Sequence, residues 1–95
     1  MNYYYKRHWD ETTGDGLTDS WGTSTYYFET DQDFNVMRQI QVFERGHVLK
    51  YSKDHSADEF GALCDQPLDA GEFIEYAIGE KNFEQIWNTT QRKTT

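Results

Sequence analysis

The residues of this 95-residue chain with the most chemistry in them are carboxylates, and they come in two tracts that contain no Lys or Arg. Asp10 to Met37 carries Asp10, Glu11, Asp15, Asp19, Glu29, Asp31 and Asp33; Asp54 to Glu80 carries Asp54, Asp58, Glu59, Asp65, Asp69, Glu72, Glu75 and Glu80. Carboxylates at this density serve hard-cation ligation, acid–base catalysis or recognition of basic side chains. For cations, Asp54, Asp58 and Glu59 lack the alternating acids, central glycine and terminal glutamate of a calcium loop. His55 with Asp58 and Glu59 is not the metalloprotease helix motif, and Cys64 with three scattered histidines has no zinc spacing. No metal and no cofactor are expected.

For catalysis, Cys64 and His55 lie nine residues apart in one irregular segment, which is a weak signal for a nucleophile and its base. A small, partly buried thiol is the simpler expectation. Carboxylate pairs of the glycosidase kind arise by chance in so acidic a chain, and nothing builds a sugar cleft. The chain is therefore expected not to be an enzyme, and recognition of basic groups remains.

Net charge bears this out as a preference. At −8 and a pI near 4.6, approach to a phosphate backbone meets like charge, whereas a basic partner is drawn in quickly and salt-dependently. Lys6 and Arg7 among Tyr3, Tyr4, Tyr5 and Trp9 have the makings of a stacking platform for single-stranded nucleic acid, but two cations cannot offset that repulsion. A protein partner, with neither nucleic acid nor membrane, is expected. A chain this short buries only roughly 60–65% of its unfolded surface, too little to enclose a large cavity. Cys64 is the only cysteine, Met1 to Trp9 lacks the apolar core of a signal peptide, and no apolar run approaches the ~18 residues of a membrane span. Cytoplasmic localisation is the expectation.

The acids need a frame. Tyr3 to Trp9 alternates, with Tyr3, Tyr5 and Trp9 on one face and Tyr4, Lys6 and His8 on the other, as in a strand. Thr12 to Gly16 reads as a loop and Thr23 to Thr30, dense in Thr, Tyr and Phe, as a second strand. Arg45-Gly46 between two alternating runs predicts a two-residue hairpin turn, pairing Phe43 with Val48, Val42 with Leu49 and Ile40 with Tyr51. That register gathers Ile40, Val42, Leu49 and Tyr51 on one face and Gln39, Gln41, Lys50 and Ser52 on the other.

Lys53 to Gly71 loses periodicity and reads as a long loop pinned by Phe60, Leu63, Pro67 and Leu68; long ordered loops are often functional. Phe73 to Ile78 is expected as a short edge strand or an extended connection. Gly79 suits an N-cap for a helix over Glu80 to Thr90, with Phe83, Ile86 and Trp87 on the stripe that meets the sheet and Arg92 just beyond the end. Trp9, Trp21 and Trp87 are assigned to the core or its margins. The expected architecture is α+β: a four- to five-stranded antiparallel sheet with a C-terminal helix packed on one face, one domain over 1–90 and a frayed tail over 91–95.

The runs Arg38-Gln39-Ile40-Gln41-Val42-Phe43-Glu44-Arg45-Gly46, Leu49-Lys50-Tyr51, His55, Asp58-Glu59-Phe60-Gly61, Leu63, Asp65-Gln66-Pro67-Leu68 and Glu72-Phe73 carry a resemblance. Here the sequence resembles a family of short bacterial proteins, a domain of unknown function, whose members look like immunity proteins encoded beside toxins of polymorphic and contact-dependent inhibition systems. The likeness runs from the first strand to the helix near Trp87, and departs from the family at Cys64, where a small polar residue such as Ser is usual. It implies a cognate toxin as partner.

Residue chemistry and resemblance together give the expectation of an immunity protein that neutralises a basic toxin, such as a nuclease. Asp54, Asp58, Glu59, Asp65, Asp69, Glu72 and Glu75 would make the contacts, with Asp15 and Asp19 as a second rim. The competing expectation is a small acidic structural or regulatory adaptor with a basic partner that is not a toxin.

Overall fold

In a computed structural model describing residues 1–95, nine elements follow one another. These are β1 (Tyr3–Trp9), β2 (Ser24–Thr30), β3 (Val36–Phe43), β4 (Val48–Ser52), β5 (Ala57–Asp58), β6 (Gly61–Ala62), α1 (Ala70–Phe73), β7 (Ala77–Ile78) and α2 (Glu80–Thr89). Short 3-10 turns occupy Asp19–Trp21 and Ile74–Tyr76. The main sheet is five-stranded, antiparallel throughout, in the order β4-β3-β2-β1-β7; β5 and β6 form a separate hairpin. This is the expected α+β fold, with α2 across one face.

The helix packs as its periodicity predicts. Gly79 is the N-cap, Phe83 is completely buried, and Ile86 and Trp87 join it against Tyr4, Ile40 and Val48 of the sheet. Burying a side chain such as Phe83 contributes about 1.5–3 kcal/mol. The last turn is capped from the sheet: Lys50 Nζ donates to the carbonyls of Trp87 (2.6 Å) and Thr90 (2.9 Å) and lies 4.4 Å from the Trp87 ring centroid. A cation at that end also suits the helix dipole.

The opposite face of the sheet is covered as well, and this overturns the expected hairpin register. Val42 faces Val48, Gln41 faces Leu49, Ile40 faces Lys50 and Gln39 faces Tyr51, one residue away from the predicted pairing. The Phe43 amide donates to the His47 carbonyl and the Gly46 amide to the Phe43 carbonyl, so the connection is a three-residue loop, Glu44-Arg45-Gly46. Gly46 at φ +96° supplies the left-handed residue that such a loop needs at its third position. Ile40 and Val42 thus point at α2, while Gln39 and Gln41 join Leu49 and Tyr51 on the far side, where both glutamines are buried.

Two irregular segments do the covering. Trp21 stands on Phe43 and stacks on the His47 ring at 4.1 Å, while Phe60, Leu63, Leu68 and Phe73 descend from the second segment. The stretch expected to be one long loop thus contains the β5–β6 hairpin and the single turn α1. Only Ala77–Ile78 of the expected strand pairs, opposite Tyr4 and Tyr5 of β1; Ile74–Tyr76 is a 3-10 turn. A bulge at Met37, between the pairs Glu29–Arg38 and Thr30–Val36, swings Val36 to the loop-covered face. Fraying is expected over Gln91–Thr95, yet the Lys93 backbone exchanges two hydrogen bonds with Val48, 2.8 and 2.9 Å long.

Candidate functional site

The irregular parts of both acidic tracts cover the face of the sheet away from α2, whereas Glu29 lies on the helix side with Arg38 and Glu80 begins α2 itself. The reason is local: each tract is interrupted by aromatic residues that need burial, and the loop-covered side is the face α2 leaves open. Trp21 from the first tract meets Phe60 from the second, ring centroids 5.2 Å apart, and there the two segments join.

Within this surface the nine nominated carboxylates divide by what they touch. Asp58 is not available to a partner. Its Oδ1 accepts hydrogen bonds from the Tyr51 hydroxyl (2.8 Å) and the amides of Phe60 (2.9 Å) and Gly61 (3.2 Å); Arg92 donates to its Oδ2 (2.8 Å), with His55 3.3 Å away. Burial favours the protonated form of this carboxyl. The hydrogen bonds from Tyr51, Arg92, the Phe60 amide and His55 outweigh it and hold its pKa well below the usual carboxylate range. Asp58 therefore fastens the β5–β6 hairpin to β4 and to the end of the chain, which corrects its expected role as a contact residue.

Asp69 and Glu72 are also in use. Asp69 is the N-cap of α1, accepting from the amides of Gly71 (2.9 Å) and Glu72 (3.3 Å). Glu72 forms an ion pair with Arg7. Asp15 accepts from the Leu17 amide at 2.7 Å, and Asp19 from the Gly14 amide at 2.9 Å. Hydrogen bonds from Thr12 and Gly14 lower the Asp19 pKa. Both side chains stay exposed while they shape the first loop. Asp54, Glu59, Asp65 and Glu75 are exposed and make no hydrogen bond or ion pair within the chain. Asp65 borders a cleft of about 330 Å³ with Asp31, Lys53 and Cys64.

Three of the four arginines, Arg7, Arg38 and Arg92, are held in ion pairs, while Arg45 in the β3–β4 loop is exposed. Arg38 bridges Glu29 (2.5 Å) and Glu84 (2.8 Å) beneath α2 and stacks over the rings of Phe83 and Trp87. Burial works against the Glu29 charge, yet hydrogen bonds from Arg38, Asn2 and Tyr4 leave its pKa lowered. Arg7 lies 5.2 Å from the ring centroids of Trp9, Phe73 and Tyr76 as it pairs with Glu72; Arg92 pairs with Asp58 over Phe60. Sequence alone misses the Arg7 cluster, although the shared parity of Tyr3, Tyr5, Arg7 and Trp9 is its visible trace.

His55 is held by Asp58 and stacks on Tyr51, whereas the Cys64 thiol donates to the Gln66 carbonyl at 3.2 Å; the two are not hydrogen-bonded to each other. No group of three or more His, Cys, Asp or Glu side chains converges to hold a metal ion. No helix is long and apolar enough to cross a membrane. Compared with protein-family models, curated proteins and solved structures, the chain has no match.

Proposed function

We propose that this chain is an immunity protein, which binds a cognate bacterial toxin and neutralises it through the acidic, loop-covered face. The observation that carries the proposal is the disposition of charge: Arg7, Arg38 and Arg92 are held in ion pairs within the chain, and exposed Asp54, Glu59, Asp65 and Glu75 make no ion pair, although Lys53 borders the same cleft as Asp65. The sequence resemblance supplies the class of partner. A nuclease fits best, since a cleft that holds a phosphate backbone is basic.

Asp58 is excluded from the contact set, and Asp69 and Glu72 contribute through the shape of α1 and the anchoring of Arg7. The test uses the exposed acids only. Wild-type chain co-expressed with the product of the adjoining upstream reading frame should restore growth, and the triple variant D54K/E59K/D65K should lose protection. Its association rate should fall on the order of tenfold or more at low salt, as steering is lost. Full protection by the triple variant would remove this loop from the interface. A neighbouring gene without toxicity, together with a different basic partner, would favour an adaptor.

A further inference from the structure

Acids surround a second kind of surface. Ile74 is 70% exposed and Tyr3 44% exposed, on the side of the sheet that carries α1. Between them lies a cleft of about 300 Å³ walled by Tyr3, Tyr5, Phe34, Ile74 and Ala77, with Gln32 as its one polar residue. A second, of about 230 Å³, opens beyond Phe73, among Arg7, Trp9, Tyr26 and Phe28. Phe73, buried against Tyr5 and Phe28, is the partition between them. Scattered apolar side chains on a surface are ordinary; a contiguous apolar surface with concave parts marks an interaction site.

A backbone outlier points to the same place. Phe34 is the only non-glycine residue with positive φ, +66°, a conformation that is strained for a bulky side chain. Asp31 enforces it: its Oδ1 accepts from the amides of Asp33 (2.9 Å) and Asn35 (3.0 Å), and its carbonyl accepts from the Phe34 amide (3.1 Å). The result is a Phe34 ring stacked on Tyr5 at 5.7 Å, forming one wall of the first cleft. Asn or Gly would take that backbone without strain but would leave the wall open.

Charge identifies the occupant. No Lys or Arg lines the Tyr3–Ile74 cleft, and the adjoining one on the Met1 side is bordered by Glu80. Exposed Glu75 follows Ile74, and exposed Asp33 precedes Phe34. Arg7, which lines the neighbouring cleft beyond Phe73, is paired with Glu72. An apolar centre inside an acidic rim matches the layout of a protein interface, and a second copy of this chain or an anionic membrane would set like charges face to face. We propose that the partner seats an aliphatic or aromatic side chain in the Tyr3–Phe34–Ile74 cleft, from within a Lys- and Arg-rich surface. This rests on the acidic-face reading above and places the centre of that interface at Ile74 rather than in the 54–65 loop.

The test is a backbone-amide NMR titration of the ¹⁵N-labelled chain with two synthetic peptides, Lys-Arg-Leu-Lys-Phe-Arg-Lys and the same sequence with Ser for Leu and Phe. The expected result is saturable shifts at Tyr3, Phe34, Ile74 and Ala77 with the first peptide, weakened about tenfold by Ile74→Ser and unaffected by Leu17→Ser, since truncating an anchor costs at least that factor. Leu17 is an exposed apolar control at 51%, and thermal melts establish that both variants fold. Equal shifts with both peptides, confined to residues 54–65, would overturn the apolar centre and leave the acidic-face function standing. Absence of shifts with either peptide would count against both. Shifts at Tyr3 and Ile74 on concentrating the chain alone would assign the cleft to a second copy and overturn the proposal.

Discussion

The Tyr51 hydroxyl donates a 2.8 Å hydrogen bond to Asp58, joining a ring that is only 1% exposed to a carboxylate from the middle of an acidic tract. One side chain thereby ties the β5–β6 hairpin to the main sheet. Asp58→Asn should destabilise the chain by about 1.5–3 kcal/mol, the worth of hydrogen bonds to a charged group. Tyr51→Phe should cost less, and the double variant less than the sum of the two. Urea unfolding of all four proteins gives the coupling; strict additivity would mean that the contact contributes nothing of its own.

Acid should loosen the same fastening. The pKa values of Asp58 and Glu29 are lower in the folded chain than in the unfolded one, so each adds stability above its unfolded value and loses it as pH falls towards the folded value. Stability should be flat near neutrality and decline from about pH 4 downward. Asp58→Asn should flatten the decline, as read from urea midpoints between pH 6 and 3; an identical slope in the variant would assign the acid sensitivity elsewhere.

At the alkaline end the sign is reversed. Burial, and then the Glu29 charge and hydrogen bond, raise the Tyr4 pKa from 10.0 to about 12. The neutral phenol is favoured by folding, so its contribution is whole below pH 10 and is lost as pH rises from 10 towards 12. Burial and Asp58 raise Tyr51 in the same direction. Thermal melts between pH 8 and 11.5 should therefore fall steeply above pH 10, less so for Tyr4→Phe. An alkaline decline of the same steepness in Tyr4→Phe as in the wild-type chain would contradict the assignment.

Gly46 offers a clean test of the left-handed backbone in the β3–β4 loop. A Cβ there would meet nothing within 4 Å, so the cost of Gly46→Ala is the backbone's alone. Forcing an L-residue to φ +96° should cost about 1–2 kcal/mol. Gly16 has equally open surroundings and no positive φ, and Gly16→Ala should be neutral or slightly stabilising. Equal stability of the two variants would mean that residue 46 does not hold the left-handed backbone.

The sheet and its helix are legible in the sequence because their signals are local: the Tyr, Phe and Thr density of β1 and β2, and the spacing of Phe83, Ile86 and Trp87. The hairpin register is not, because alternation locates a buried face only when the other face meets water. Here both are covered. Gln39 reads as solvent-facing, yet its side chain donates to the Ala62 carbonyl and accepts from the Cys64 amide, from residues more than twenty positions away. Asp58 is misjudged for the same reason, as Arg92 lies 34 positions further on. Exposed Ile74 is hidden in a stretch whose composition suits a strand, and a strained Phe34 has no signature in sequence at all.

The backbone bridge between Val48 and Lys93 also bears on how these molecules behave when crowded. In β4 the peptide groups of Val48, Lys50 and Ser52 point away from β3, so the strand would present an open row of donors and acceptors to any passing chain. Lys93 takes the groups of Val48, and His55 takes those of Ser52. What is left at Lys50 is one unpaired peptide between two occupied ones, beneath an ammonium group clamped to the end of α2. So short a gap offers no continuous row for a second strand to pair with, and the edge of the sheet is closed by the chain's own residues.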